Sequence, residues 1–183
     1  LIASTEGKKS RKVVEYGINA LKAVFHRGAV DADGKTGDGA GIHLEIPSDF
    51  FGEKIELTGH KHDGSEICVG MIFLPRNNYE AQENARTLVE SELTKSNFSI
   101  YGWRQVPVNT KVLGEKANFT RPEITQVLFK NNDKKLTGKS LERKIYESRR
   151  KIEKEAIKNA LEGFYICSLS SKSIIYKGMF LAE

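Results

Sequence analysis

At 183 residues the chain is long enough for one domain with a hydrophobic core, or for one large piece of a bigger domain. Its 39% hydrophobic and 29% charged residues are ordinary for a soluble globular protein, and no apolar run approaches the ~20 residues needed to cross a bilayer. The only two cysteines, Cys68 and Cys167, exclude a disulfide framework and a zinc module; with no signal-peptide pattern after Leu1-Ile2-Ala3, a reducing cytoplasm is expected.

In chain order, Leu1-Ile2-Ala3-Ser4 reads as the end of a strand. Ser10 can cap a helix running to about Phe25, with Val14, Ile18, Leu21 and Phe25 on one face. Gly28 to Gly41 is too rich in glycine for a helix, and Ile42, Leu44 and Ile46 then alternate as a half-buried strand ending at Pro47. Ile67 to Leu74 reads as a buried strand stopped by Pro75. Asn78 to Leu93 follows as a helix with Ala81, Ala85, Leu88 and Glu92 or Leu93 on its stripe. Phe98 to Val108 reads as a strand carrying Tyr101 and Trp103, and Thr125 to Lys130 as another short one. After the polar loop Asn131 to Gly138, Ser140 to Leu161 reads as a long amphipathic helix with Leu141, Ile145 and Ile152 inward. Phe164 to Leu169 and Ser173 to Met179 resemble a hairpin through Ser170-Ser171-Lys172. Strands and helices in this reading are grouped rather than strictly alternating, so the expected class is α+β, with no internal repeat or linker.

The net charge of +5 invites a nucleic-acid reading. However, the densest basic stretch, Lys139 to Lys158, also holds Glu142, Glu147, Glu153 and Glu155. It reads as a solvated helix face with i,i+4 pairs, and no nucleic-acid partner is expected.

Four features bear on chemistry. Gly28 and Gly34-Lys35-Thr36 approach a phosphate loop, but five residues separate the glycines where four are required. The order is also reversed, because the stretch follows a helix and precedes a strand. His60-Lys61-His62 with Asp63 lacks a third spaced ligand and reads as a polar turn, so no metal site is expected. Cys68 and Cys167, in apolar runs with no flanking base, read as inert core thiols. There remains His26-Arg27-Gly28-Ala29-Val30-Asp31-Ala32-Asp33-Gly34-Lys35-Thr36-Gly37-Asp38-Gly39-Ala40-Gly41-Ile42. An arginine at a helix end, then a glycine-dense loop re-entering a strand, lets backbone approach a ligand closely; a tight structural turn is the plainer alternative.

This stretch resembles the N-terminal region of the glutamate synthase large subunit. The resemblance continues through Tyr101-Gly102-Trp103-Arg104-Gln105-Val106-Pro107-Val108-Asn109, Gly114-Glu115-Lys116-Ala117 and Thr120-Arg121-Pro122-Glu123-Ile124. It persists in Phe164-Tyr165-Ile166-Cys167-Ser168-Leu169-Ser170 and Ser173-Ile174-Ile175-Tyr176-Lys177-Gly178-Met179, and so covers the whole chain in order. Arg27-Gly28 followed by Asp38-Gly39-Ala40-Gly41-Ile42 is also similar to the wider class II amidotransferase pattern, with a longer loop between its parts.

The resemblance implies an N-terminal-nucleophile hydrolase, a four-layer αββα sandwich that is incomplete here, with residues 1–183 as part of one glutamine amidotransferase domain. It implies a terminal cysteine thiolate that attacks the glutamine side-chain amide, with its own α-amine as base. An α-amine titrating near ~7.7–8.0 can take the thiol proton around neutrality. In the family that cysteine begins a Cys-Gly-Val-Gly segment directly before the positions matching Leu1-Ile2-Ala3. No catalytic residue is therefore expected among these 183, only active-site support from Arg27 and Gly28.

The chain starts at Leu1 rather than Met and ends on the apolar, uncapped run Met179 to Glu183, which reads as truncation at both ends. Alone, it is expected not to hydrolyse glutamine, and its uncovered sheet edges would favour self-association. By resemblance its partners are L-glutamine, the rest of the large subunit and a small subunit. No cofactor is expected in this segment. The parent would use FMN and an iron–sulfur cluster, with FAD and NADPH through the small subunit. A non-catalytic interaction module, or a gene remnant reusing the fold, is the alternative.

Overall fold

The computed structural model describes residues 1–181; Ala182 and Glu183, part of the apolar C-terminal run, lie outside the described residues. The chain forms two compact units, each assembled from separate stretches. One holds residues 1–44, 108–121 and 175–183, the other 45–107 and 122–174.

The second unit is built on four strands: β2 (Ile67–Leu74), β3 (Phe98–Gln105), β4 (Glu123–Asn131) and β5 (Tyr165–Ser170), in the order β3-β4-β2-β5. Every neighbouring pair is antiparallel, with Ile67 opposite Lys130 and Val69 opposite Ser170. β2 is the apolar run Ile-Cys-Val-Gly-Met-Ile-Phe-Leu, buried on both faces, which is why it occupies an interior position. Pro75 follows it and cannot continue the ladder. Helices α3 (Tyr79–Lys95) and α5 (Gly138–Lys158) lie together on this sheet. Their stripes meet Cys68, Ile72, Val127, Phe129 and Ile166 in one core through Ala85, Val89, Leu93, Leu141, Ile145 and Ile152.

The α3 stripe is set by Gln82, Ala85, Val89, Glu92 and Leu93; the expected Ala81 and Leu88 are only half-buried. Asn78 caps α3 by accepting from the Ala81 amide at 3.0 Å. α5 carries i,i+4 ion pairs as expected: Arg143–Glu147 at 3.1 Å is exposed, whereas Arg149–Glu153 at 2.8 Å is part-buried, with Arg149 also donating to Ile166 C=O at 2.8 Å. α2 (Ser48–Glu56), not anticipated from sequence, buries Phe51 and Ile55 beside β2 and β3.

The first unit carries α1 (Arg11–Ala23), a 3-10 turn over Phe25–Arg27, and a further 3-10 turn leading into α4 (Glu115–Thr120). Ser10 caps α1 as expected, its hydroxyl accepting from the Lys12 amide at 3.2 Å. Val14, Ile18 and Leu21 are half-buried, whereas Phe25 falls in the 3-10 turn and is exposed. β1 (Thr36–Glu45) begins inside the glycine-rich stretch and pairs with β6 (Ser173–Phe180) in a two-stranded sheet.

Two expectations are corrected here. Residues 1–4 form no strand and Leu1 is fully exposed. β5 and β6 do not form a hairpin, because β5 pairs with β2 and β6 with β1. The turn between them is held from elsewhere: Glu142 accepts from the Ser170 hydroxyl at 2.8 Å and the Ser171 amide at 2.7 Å. The Ile46 amide then donates to Lys172 C=O at 2.9 Å. The class is α+β, although not for the reason anticipated. With α2 and α4 present, helices and strands nearly alternate, and it is the antiparallel pairing that decides the class.

Replacing Ile152, fully buried between α5 and the sheet, by alanine should cost about 2–5 kcal/mol of unfolding free energy. Ile157→Ala, at an 81% exposed position of the same helix, should change it by less than about 0.5 kcal/mol. Urea unfolding of both variants checks the packing of α5; equal losses would refute it.

Candidate active site

Arg27 closes the 3-10 turn, its amide donating to Val24 C=O at 3.0 Å, and its side chain is exposed. Gly28 is extended (φ −84°, ψ 153°), so its conformation is open to any residue. A Cβ at Gly28, however, would stand 3.2 Å from Asp38 Oδ1 and 3.3 Å from Phe25 C=O, so the close approach favours glycine.

From Gly28 the chain folds back on itself. The Asp38 amide donates to Ala29 C=O at 3.1 Å, Val30 bridges Gly37 antiparallel, and the Asp31 amide donates to Thr36 C=O at 2.8 Å. The tip of this fold is organised by Asp33. Its carboxylate accepts from the Lys35 amide at 3.0 Å, the Thr36 amide at 2.7 Å and the Thr36 hydroxyl at 2.5 Å. An anion accepting several such bonds is favoured in its charged form. The Thr36 hydroxyl first, then the Thr36 and Lys35 amides, hold the Asp33 carboxyl well below its ordinary range.

Residues some eighty positions downstream complete the arrangement. The Lys116 amide reaches Asp33 Oδ2 at 3.4 Å, and the Ala117 amide donates to Thr36 Oγ1 at 3.2 Å. Lys116 Nζ pairs with Asp31 Oδ2 at 2.6 Å, which lowers the Asp31 pKa and raises that of Lys116. Asp31, Ala32, Asp33, Glu115, Lys116 and Phe119 line a shallow, open depression of about 400 Å³. Sequence reasoning singled out Gly114-Glu115-Lys116-Ala117 only as a block of resemblance. The available signal was Asp33 three residues before Thr36, the spacing of a carboxylate that holds nearby amides.

The remaining candidates are occupied elsewhere. His62 Nε2 donates to Ser65 C=O at 2.9 Å and His60 Nδ1 lies 3.1 Å from the Thr58 hydroxyl, both at the rim of the buried Tyr101. Asp63 pairs with Lys130 and accepts from the Ser65 amide at 3.1 Å, so this turn is knitted together internally. Cys68 is fully buried; desolvation first, then Glu66 and Glu142, push its thiol pKa far up. Cys167 is 6% exposed on β5. Neither is placed to act as a nucleophile.

Residues 1–183 match the family model of the class-II glutamine amidotransferases. The chain belongs to that family. All of it aligns at 54% identity with the "Glutamate synthase [NADPH] large chain" of Azospirillum brasilense, of which it spans 12%. It is 37% identical over 97% of its length to "Ferredoxin-dependent glutamate synthase 2" of Synechocystis sp., spanning 11% of that chain. Against the chloroplastic "Ferredoxin-dependent glutamate synthase" of Spinacia oleracea it is 36% identical, again over 11% of the relative. This amidotransferase chain thus covers about an eighth of the length of the relatives it matches.

The loop should respond to pH in a defined direction. Asp31 and Asp33 are depressed below 3.8, so their contribution is complete above that value and is lost as pH falls through their folded pKa values. Lys116 is raised above 10.5, so its contribution is present below that pH and lost above it. Hydrogen-exchange protection of the Thr36 and Ala117 amides should therefore be flat from about pH 5 to 9, after correction for intrinsic rates. Protection that collapsed between pH 5 and 7 would contradict the carboxylate arrangement.

Proposed function

We propose that this chain is the segment of a glutamate synthase large subunit that frames the glutamine-hydrolysing site, and that it serves release of ammonia from L-glutamine. The observation that carries the reading is the match along the entire chain, at 54% identity, to a glutamate synthase large chain. The organised Arg27-Gly28 loop, at the position expected for active-site support, agrees with it.

The nucleophile in this reading is a cysteine preceding Leu1. Its thiolate attacks the glutamine amide carbon, and its α-amine takes the thiol proton. Arg27 stands beside it and Gly28 gives the backbone room. Collapse of the adduct expels ammonia and leaves a glutamyl thioester that water hydrolyses. In the parent enzyme the ammonia condenses with 2-oxoglutarate, losing water, and the resulting imine takes two electrons and protons, drawn from the enzyme's electron donor, to become glutamate. With its two cysteines buried in separate strands and no third thiol, the chain cannot supply the set of thiolates that an iron–sulfur cluster requires. The parent's FMN and cluster belong to other parts of the large subunit, and FAD and NADPH to a small subunit. The nearer likeness to an NADPH-named relative than to ferredoxin-dependent ones favours NADPH as donor.

The setting is cytoplasmic, and among the described residues no helix is long and apolar enough to cross a membrane. In isolation the segment leaves β3 and β5 at the edges of its four-stranded sheet, and should self-associate. Size-exclusion chromatography is expected to show species larger than the monomer; a sharp monomer peak at all concentrations would count against this.

Ammonia release from L-glutamine tests the function. The full-length protein should be active, replacing the cysteine before Leu1 by serine should abolish activity, and the 183-residue segment alone should be inactive. Full activity in the serine variant would overturn the assignment.

A further inference from the structure

Arg27 and Gly28 sit on an exposed turn, so some contact other than core packing has to fix where they stand. We propose that Asp33, Thr36 and Gly114 form a clasp that positions the Arg27-Gly28 turn for glutamine hydrolysis. They act through the loop rather than on the substrate, and the proposal rests on the glutaminase reading above.

The argument follows an unbroken series of bonds. Gly28 is bound to Phe25 C=O, and Ala29, the next residue, is bound to Asp38. Val30 bridges Gly37, and Asp31 is bound to Thr36, so residues 29–38 move as one folded-back ribbon. The start of β1, which pairs with β6, steadies one strand of that ribbon, and Lys116 Nζ holds Asp31; the tip itself, Asp33 and Thr36, is fastened at the clasp. Thr36 is 2% exposed; its Oγ1 donates to Asp33 Oδ2 at 2.5 Å and accepts from the Ala117 amide at 3.2 Å. One hydroxyl thus serves both sides of the contact.

Gly114 makes the approach possible. Its φ of −66° needs no glycine, but a Cβ there would overlap Thr36 Oγ1, the Thr36 amide and Asp33 Oδ2. Gly114 offers no side-chain cap to the helix it precedes, so the loop supplies the partners that the Lys116 and Ala117 amides would otherwise lack. The loop and residues 114–117 therefore complete each other. A side chain at 114 must displace the tip of the ribbon, and the ribbon carries that shift back to Ala29 and its neighbours Gly28 and Arg27.

The test uses the full-length protein and compares Thr36→Val, Thr36→Ser, Gly114→Ala and, as a stability control on the half-buried face of α1, Ile18→Ala. kcat and KM for ammonia release from L-glutamine are measured with the thermal midpoint of each variant. Thr36→Val and Gly114→Ala should lower kcat roughly tenfold, because small misplacements beside a reacting centre are costly. KM should stay within about twofold. Thr36→Ser, which keeps the hydroxyl, should restore kcat, and Ile18→Ala should melt earlier with wild-type kcat.

Wild-type kcat in folded Thr36→Val, or an equal loss in Ile18→Ala at a matched midpoint, would overturn the clasp. Should Gly114→Ala not fold, the Val and Ser variants at Thr36 decide. If the wild type itself releases no ammonia, the glutaminase reading fails separately. The clasp is then judged by hydrogen exchange at the Asp31 and Asp38 amides, which should quicken in Thr36→Val; unchanged exchange would overturn it.

Discussion

The carboxylate of Asp33 is the constraint around which the candidate site is arranged. A chain rich in glycine has many accessible conformations and loses more entropy on ordering than any other sequence. Hydrophobic burial offers little help in a loop whose residues Ala32 to Lys35 are exposed. An anion that gathers the Lys35 and Thr36 amides and the Thr36 hydroxyl selects one of those conformations. Its exposure means that this selection acts through hydrogen-bond geometry more than through long-range charge, which solvent screens.

The two units are stabilised by different physics. In the unit containing the four-stranded sheet, β2 is buried on both faces and α3 and α5 close a continuous apolar core over it. Such packing is insensitive to pH and tolerant of surface change. In the unit containing the loop, α1 buries no residue fully, and polar contacts between the loop and residues 114–117 hold the local structure. Where no side chain of the helix is fully buried, hydrogen-bonded positioning is the remaining means of rigidity.

Both histidines of the His60-Lys61-His62 turn and both cysteines illustrate how context decides chemistry. His62 is committed to Ser65 C=O, while burial keeps Cys68 as a neutral thiol. These residue types are reactive only where their environment stabilises the reactive form. Arg27, by contrast, is exposed on a glycine-rich turn, and its proposed role rests on the family likeness.

The sequence by itself determined the strongly periodic elements. The apolar run Ile67–Leu74 before Pro75, the cap at Ser10, and the α5 stripe of Leu141, Ile145 and Ile152 all follow from local patterning, which needs no knowledge of partners. Likeness to a family, also read from sequence, is what proposes Arg27 and Gly28 as active-site support. Tertiary structure alone decided that β5 and β6 join different sheets, because an alternating strand carries no mark of its neighbour. It alone brought Gly114, Lys116 and Ala117 to Asp31, Asp33 and Thr36, since hydrogen bonds spanning some eighty residues leave no periodic trace in the chain.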